Sequence, residues 1–332
     1  MIRLALGRAI PILATLLYFV SSSYGAEAPL KIRAGYSVIT AGPGVIWVTK
    51  EAGIFRKNGL DVELLYISTT LLSQAMLSGG VDIGVGTGIA AITSHVEGSD
   101  LVILSSVSTT GSLVYLISSK EITKPEQLEG KRVGLTRLGS TAHFVLRLAL
   151  RELGISEKKV SILQMESSAN LLVALQKGNI DAFTTTEEYR FAAQKLGFNV
   201  LVDLRKLGIK TLGTDLFARR DFIQKNEEAG RRFIRAIVEG IHYYKTHKDR
   251  SMEIMARYMR GKDLEMVRVG YDFYAPVYSA KPYPNIEGIK LALQDLAQRN
   301  PKAKEAKPEQ FLEARFVKDL DESGFIDRLY RQ

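Results

Sequence analysis

Hydrophobic runs recur along the chain at lengths that predict buried strands, and amphipathic segments separate them. VDIGVGTG, which begins at Val81, shows no alternation of polar and apolar positions, as is typical of a parallel strand covered on both faces. The preceding segment TTLLSQAMLSGG predicts a helix that ends at a glycine turn. Because strands alternate with helices of this length, the chain is predicted to form an α/β structure with parallel pairing.

The same unit is written twice. LLSQAMLSGGVDIGVGTG, residues 71–88, is matched by LLVALQKGNIDAFTTTEE, residues 171–188. Asp82 matches Asp181, and Thr87 matches Thr186, at a common offset of 99 residues. Each half contains a strand, a glycine-bearing loop, a helix, a strand, a helix and a strand. The pattern therefore predicts two α/β lobes of similar construction.

From about residue 216 the pattern becomes mostly helical, and no third α/β lobe can be drawn from it. We expect these helices to pack on the first lobe, so that the chain crosses between the lobes twice and the crossings form a hinge. The predicted parts are residues 30–115 for the first part of lobe 1, 116–215 for lobe 2, and 216–332 for the second part of lobe 1 with the C-terminal helices.

Residues 1–26 predict a secretory signal peptide. Arg3 and Arg8 precede the apolar run IPILATLLYFV, and small residues follow it. We expect cleavage near Gly25 or Ala26, with a retained N-terminal anchor as the alternative. The mature protein is then expected outside the cytoplasmic membrane, most simply as a monomer in a bacterial periplasm.

Composition removes several classes of function. The 332 residues include no cysteine, which excludes disulfides, cysteine nucleophiles and thiolate metal sites. The net charge of +9 comes from basic residues scattered along predicted helices, so we expect no nucleic-acid partner. Phosphate-binding and dinucleotide-binding glycine motifs are missing, and the four histidines lack metal-ligand spacing. We therefore expect no metal, no cofactor and no enzymatic activity.

Small and hydroxyl residues recur where the predicted strands end. In open parallel sheets, ligands bind beyond the carboxyl ends of the strands. Each residue alone could simply cap a helix, but together they predict a polar pocket. The ligand-binding candidates are Ser37, Thr40, Gly42, Pro43, Trp47, Thr69, Thr87, Gly88, Ser108, Gly139, Ser140, Thr141, Thr185, Thr186 and Glu187.

These candidates leave the ligand's charge open. A helix that begins after Gly139 would attract an anion through its free N–H groups, and Arg137 would add a positive charge. Glu187 or Glu188 would instead repel an anion and favour a cationic or amine-bearing group. Trp47 could stack on a ligand or pack in the core, and His143 has the same two interpretations.

Several segments together resemble ABC-transporter substrate-binding proteins, in particular the nitrate/sulfonate/taurine and thiamine-pyrimidine-precursor branch. They include KIRAGYS, GPGVIWVTKEAGIFRKNGLDVEL, LLSQAMLSGGVDIGVG and LEGKRVGLTRLGSTAHFVLRLALRELGI, within residues 31–239. The resemblance implies a type II periplasmic-binding-protein fold with a two-stranded hinge. It also implies closure around one small molecule and delivery of that molecule to a membrane permease.

The resemblance leaves two alternatives to a transport receptor. One is an enzyme that makes the thiamine pyrimidine precursor on the same scaffold. That branch uses a cysteine-rich motif and a sacrificed histidine, and this chain contains no cysteine. The other is a ligand-sensing module that signals to a membrane partner.

Overall fold

The computed structural model describes residues 28–108, 110–111, 114–260 and 263–331, except for the side chains of residues 69 and 70. The predicted signal peptide, residues 1–26, lies outside the described residues. The strands are β1 (Leu30–Tyr36), β2 (Leu60–Tyr66), β3 (Ile83–Gly86), β4 (Leu101–Ser106), β5 (Tyr115–Ser118), β6 (Arg132–Leu135), β7 (Ser161–Gln164), β8 (Ala182–Thr185), β9 (Asn199–Asp203) and β10 (Asp215–Arg219). The α-helices are α1 (Gly44–Glu51), α2 (Ile54–Lys57), α3 (Thr69–Leu77), α4 (Ile89–Val96), α5 (Thr141–Glu152), α6 (Ser168–Gln176), α7 (Glu187–Lys195), α8 (Arg220–Lys225), α9 (Glu227–Thr246), α10 (Lys248–Tyr258), α11 (Leu264–Val277), α12 (Ile286–Leu296), α13 (Arg315–Glu322) and α14 (Phe325–Leu329).

The strands form two five-stranded sheets of the same design. The first sheet has the order β2-β1-β3-β10-β4 and the second has the order β7-β6-β8-β5-β9. In each sheet the fourth strand is antiparallel to its neighbours: β10 in the first sheet and β5 in the second. Helices connect the parallel strands, which confirms the predicted α/β class with two lobes. The predicted parallel pairing holds only among β1, β2 and β3 and among β6, β7 and β8, because the strands next to the crossings pair antiparallel and make both sheets mixed.

An arginine–aspartate pair occupies the same place in both sheets. In the first, the Arg33 backbone N–H and guanidinium donate to Asp82 at 2.8, 3.1 and 2.8 Å. In the second, Arg132 makes the same three hydrogen bonds to Asp181 at 2.8, 3.0 and 2.9 Å. Both pairs obey the offset of 99 residues seen in the sequence. The duplication therefore extends from the backbone to a shared ion pair.

Two equivalent glycines let a helix pack closely on the adjacent strand. A Cβ atom at Gly35 would lie 2.5 Å from Leu72 Cδ1 of α3, and one at Gly134 would lie 2.5 Å from Leu171 Cδ2 of α6. A larger residue at either position would therefore require the buried leucine to move. Both glycines thus fix how near the helix lies to its sheet, once in each lobe.

The chain crosses between the lobes after β4 and again after β9. The Val107 N–H donates to Thr214 O at 2.7 Å, and the Leu204 N–H donates to Val114 O at 2.9 Å. The Thr214 N–H also donates to Ser108 Oγ at 2.8 Å. The two crossings therefore run side by side as a hydrogen-bonded pair, as the predicted hinge requires.

The C-terminal helices pack mainly on the first lobe, where α9 lies against α1. They also contact the second lobe, which the sequence pattern did not indicate. Lys195 of α7 pairs with Glu265 of α11 at 2.6 Å, and α11 packs along α7. Arg147 of α5 pairs with the buried Asp295 of α12 at 2.7 Å. The helical segment thus links the lobes a third time, through side chains.

Among the helices of the described chain, none has both the length and the apolar character needed to cross a membrane.

Candidate ligand-binding cleft

A chamber of about 80 Å³, the inner chamber, lies between the two lobes where the strands end. Its lining residues are small or carry hydroxyl groups, and none of those described is charged. They are Ser37, Val38, Thr40, Gly42, Pro43, Gly86, Thr87, Gly213 and Thr214 from the first lobe and hinge, with Thr136, Ser140, Thr141, Ala142, Ser168 and Thr186 from the second. Both lobes therefore contribute a wall.

Many of the sequence-predicted residues meet in this chamber. Its lining includes the following candidates: Ser37, Thr40, Gly42, Pro43, Thr87, Ser140, Thr141 and Thr186. The internal repeat is visible in the walls, because Thr87 and Thr186 are equivalent positions and face the same space. Ser37 and Thr136 are a second such pair at the offset of 99 residues.

Five helices begin at or beside the inner chamber. Pro43 is the N-cap of α1, Ser140 that of α5 and Thr186 that of α7. Thr87 immediately precedes the N-cap of α4, and Ser168 is the first residue of α6. The first N–H groups of a helix have no partner within it and carry a partial positive charge. The inner chamber is thus surrounded by the positive ends of helix dipoles, and none of its described lining residues is charged.

The hydroxyl groups at these helix starts are not all used for capping. Ser140 Oγ donates to Arg137 O at 2.6 Å and makes no cap hydrogen bond to α5. Thr186 Oγ1 is buried and has no hydrogen-bond partner among the described residues. Thr214 Oγ1 donates to Gly42 O at 2.8 Å, which ties the hinge to the loop after β1. At Ser140 and Thr186, pocket lining therefore explains the hydroxyls better than capping does.

A second, wider space, the outer chamber, continues from the inner chamber toward the surface and has a volume of about 370 Å³. Its lining is larger, more aromatic and charged. It comprises Ser37, Val38, Ile39, Thr40, Tyr66, Ser68, Thr136, Arg137, Ser140, Glu166, Ser167, Ser168, Tyr189, Met259 and Arg260. Several residues line both chambers, so the two spaces are continuous.

Three candidates lie in the first lobe but away from the inner chamber. Trp47 is fully buried, and its ring stacks on that of Tyr258 with centroids 5.1 Å apart. The Gly88 N–H donates to Asp215 Oδ2 at 2.8 Å. Ser108 is buried in the hinge. The core interpretation of Trp47 is therefore the one that the structure shows.

Three candidates in the second lobe also lie outside the lining of the inner chamber. Gly139 is an exposed turn residue with a φ of +75°, and its N–H donates to His143 Nδ1 at 3.0 Å. Thr185 is fully buried in β8. Glu187 pairs with Arg190 of its own helix, so its carboxylate is already neutralised by an arginine. Thr69, in the first lobe, begins α3, and the structure describes its backbone only.

Glu188, whose charge bears on the ligand but which is not among the sequence-predicted ligand-binding candidates, lies beside the site. It is fully buried on α7 of the second lobe, and its Oε1 accepts the backbone N–H of Ala41 in the first lobe at 3.1 Å. Its Oε2 has no hydrogen-bond partner among the described residues. Ala41 belongs to the loop that carries Thr40 and Gly42 into the chamber. The carboxylate thus joins the lobes directly behind the chamber wall.

Asp215 is a second residue absent from those candidates. It is the first residue of β10, fully buried, and accepts a hydrogen bond from Ser106 Oγ at 2.5 Å as well as that from the Gly88 N–H. Burial raises the pKa of Asp215 from 3.8 to about 6, because loss of solvation outweighs both hydrogen bonds. A single aspartate after a hinge carries no sequence signal that would have identified it.

Comparison with known proteins places this fold and cleft in a family. Residues 44–251 match the family described as NMT1/THI5 like. This match covers more than half of the chain and includes the hinge, the second lobe and most of the predicted binding loops. The chain therefore belongs to the NMT1/THI5-like family.

Curated relatives are binding proteins. One from Brucella abortus (strain 2308), named as a binding protein, is 24% identical over 242 residues, which are 70% of this chain and 72% of the relative. The taurine-binding periplasmic protein of Escherichia coli (strain K12) is 31% identical over 179 residues, or 53% of this chain and 55% of that protein.

Solved structures share the fold over nearly the whole chain. The periplasmic aliphatic sulphonate binding protein SsuA of Escherichia coli superimposes with a TM-score of 0.72 at 22% identity, covering 86% of this chain and 92% of that one. The desulfurization enzyme DSZB also matches, with a TM-score of 0.66 at 14% identity, covering 88% and 99%. The chain thus has the periplasmic-binding-protein fold, a scaffold that also occurs in an enzyme.

Proposed function

We propose that this protein is an extracytoplasmic solute-binding receptor that captures a small organic anion between its lobes and delivers it to an ABC-transporter permease. The observation that carries the proposal is the convergence of five helix N-termini on an inner chamber without charged lining residues. The names of the periplasmic binding relatives support the receptor role.

The electrostatics favour an anion at this place. Helix N-termini bind sulfate, phosphate and carboxylate groups through their backbone N–H donors and dipoles. Among the described residues that line the inner chamber there is no carboxylate. Of the two glutamates nearby, Glu187 is paired with Arg190, and Glu188 accepts a hydrogen bond from Ala41 behind the wall. A chamber of about 80 Å³ suits one oxyanion head group and not a large ring system. A sulfonate or carboxylate is therefore the expected head group.

The lining supports binding rather than turnover. Hydroxyl groups supply hydrogen bonds there, but no histidine, carboxylate or lysine in the described lining could activate one as a nucleophile. We therefore propose that the ligand leaves unchanged. The signal-like segment at residues 1–26 supports export to the periplasm, where the receptor would act as a monomer.

Isothermal titration calorimetry with purified protein tests the proposal. Ethanesulfonate, taurine and propanoate are expected to include at least one saturable ligand, whereas neutral ethanol should not bind. A ligand present at a hundredfold excess over its Kd should raise the free energy of unfolding by about 2.7 kcal/mol. Recovery of unchanged ligand by mass spectrometry would separate a receptor from an enzyme. Absence of binding by all three compounds, each of which carries a sulfonate or carboxylate group, would contradict the proposed ligand class.

Two variants test where the ligand binds. Thr87→Tyr fills the chamber from the first lobe, and Ser140→Trp fills it from the second, so each should abolish binding while the protein stays folded. Ser78→Trp, on the exposed end of α3, is the matched control and should bind normally. Full affinity in both cleft variants would place the ligand elsewhere.

A further inference from the structure

The outer chamber contains two backbone outliers. Among the described residues, Glu166 and Arg260 are the only ones other than glycine with positive φ, at 59° and 57°. Both line the outer chamber, although Glu166 belongs to the second lobe and Arg260 to the C-terminal helical segment. Residues held in this conformation persist where the surrounding structure enforces it, and they concentrate at functional sites.

Helix termination explains the backbone of Arg260 but not its side chain. Arg260 follows α10 at a position that is often left-handed, and glycine is the ordinary residue there. An arginine keeps the strain that a glycine would avoid. Its guanidinium lies over the ring of Tyr66, 5.6 Å from the centroid, at the chamber wall. The chain thus has a charged side chain at a position where the backbone conformation favours glycine.

The charges of the outer chamber differ from those of the inner one. Arg137 of the second lobe and Arg260 of the helical segment both line it, and Glu166 is the one carboxylate among its described lining residues. The local balance is therefore positive. Guanidinium groups bind carboxylate and other oxyanions with two parallel hydrogen bonds, which suits them to a second anionic group.

We propose that the outer chamber is a second anion subsite, and that the natural ligand is an elongated organic acid with an anionic group at each end. One group occupies the inner chamber at the helix N-termini, and the other faces Arg260 and Arg137. The residues shared by both chambers make the path between the subsites continuous. This inference rests on the proposed receptor function and specifies its ligand class.

Calorimetry with matched probes tests the second subsite. Ethanesulfonate has one anionic group, and 3-sulfopropanoate has a sulfonate and a carboxylate. Wild-type protein should bind 3-sulfopropanoate at least tenfold more tightly. Arg260→Ala should remove most of this difference by weakening the dianion and leaving ethanesulfonate within about twofold, because only the distal group loses its partner.

Two further variants separate recognition from stability. Arg257 lies in the last turn of α10, three residues before Arg260, and pairs with Glu51 at 3.2 Å outside the chamber. Arg257→Ala should therefore bind both probes normally. Arg260→Gly should raise the Tm, because glycine adopts positive φ without strain, and should still lose the preference for the dianion. Gain of stability with loss of selectivity is not expected of a residue that is merely structural.

The outcomes distinguish the two proposals. If wild-type protein binds both probes equally, or if Arg260→Ala weakens both equally, the second subsite is wrong and the receptor function stands. If wild-type protein binds neither probe, the dianionic ligand class is wrong, and the proposed function fails with it only if taurine and propanoate do not bind either.

Discussion

The two lobes are copies in their framework and differ in their chemistry. The arginine–aspartate pair and the close-packing glycine recur at equivalent positions in each lobe. The first lobe, however, is covered by the C-terminal helices, and Asp82 is the less exposed of the two aspartates, at 10% against 21% for Asp181. The residues that fix the backbone are thus the same in both lobes, whereas the exposure of these residues to solvent differs.

Core packing shows how the same space can be filled from different strands. In the first lobe, Phe217 of β10 pairs with Gly84 of β3, and a Cβ atom at Gly84 would lie 2.3 Å from its ring. In the second lobe, the residue equivalent to Gly84 is Phe183, which pairs with Ile117. The large ring moves to the neighbouring strand, and the sheet keeps its design.

The two lobes differ more strongly in the first residue of the strand that follows each hinge crossing. Asp215 pairs with Gly86 at the start of β10, and Tyr115 pairs with the equivalent Thr185 at the start of β5. Burial raises the pKa of both groups, but Asp215 is held by Ser106 and Gly88, whereas Arg205 lies over the Tyr115 ring at 5.0 Å. Equivalent positions therefore carry unrelated chemistry once the backbone no longer restricts them.

The largest expected effect comes from filling the equivalent glycines. Gly35→Val and Gly134→Val each force a branched side chain into a space where the first atom already meets a leucine at 2.5 Å. Each variant should lose about 3 kcal/mol or more of unfolding free energy, as measured by urea denaturation. Ser78→Val places the same side chain at an exposed position and is the control, which should change the unfolding free energy little. A large loss in one lobe only would show that the framework is not equivalent.

Asp215→Asn should stabilise the protein at neutral pH. The carboxyl group titrates near 3.8 when unfolded and at about 6 when folded, so its contribution to stability is present below pH 3.8 and lost as the pH rises through 6. Asparagine does not ionise, and the variant should gain roughly 2–3 kcal/mol over wild type at pH 7.

Urea denaturation between pH 4 and 7 measures this difference. The advantage of Asp215→Asn should grow across that interval and then remain constant. An advantage that does not change with pH would mean that Asp215 is not desolvated as its burial indicates.

The ion pairs should respond unequally to removal of the aspartate. Asp82→Ala is expected to cost about 2 kcal/mol, because it leaves the more buried set of charged hydrogen bonds unmade. Asp181→Ala should cost less, because the Asp181 side chain is more exposed to water than that of Asp82. Arg132 lowers the pKa of Asp181, so that smaller loss should be present above pH 3.8 and disappear as the pH falls through the folded value. Equal losses of unfolding free energy in the two variants would show that the burial of the aspartate does not determine the strength of the ion pair.

The smallest effect concerns Glu188, whose equivalent in the first lobe is the buried Ile89. Glu188→Ala leaves the Ala41 N–H without its acceptor and should weaken ligand binding about fivefold, since an unsatisfied donor costs about 1 kcal/mol at the low end of the usual range. Glu188→Gln keeps an acceptor and should restore most of the affinity. Glu187→Gln is the adjacent control. If Glu188→Ala binds normally, the contact between the lobes does not position the binding loop.

Hydrophobic patterning and the repeat were sufficient to predict the α/β class, the two lobes, the hinge and several chamber residues. Strand patterns, glycine turns and capping residues depend on a few neighbouring positions, so they can be recognised in a single sequence. For that reason Thr87, Ser140 and Thr186 could be selected from the order of residues alone.

Long-range contacts decided the rest. The Glu188–Ala41 hydrogen bond joins residues 147 positions apart, and the Arg147–Asp295 pair joins residues 148 apart. The same limit applies to Trp47, whose burial depends on Tyr258, and to the outer chamber, where Arg260 meets residues of both lobes. Local propensity determined the strands and helices of each lobe, because each element forms from neighbouring residues, although the first sheet also needs the distant strand β10. Only the tertiary structure could determine which side chains face the cleft, because that depends on how distant segments pack together.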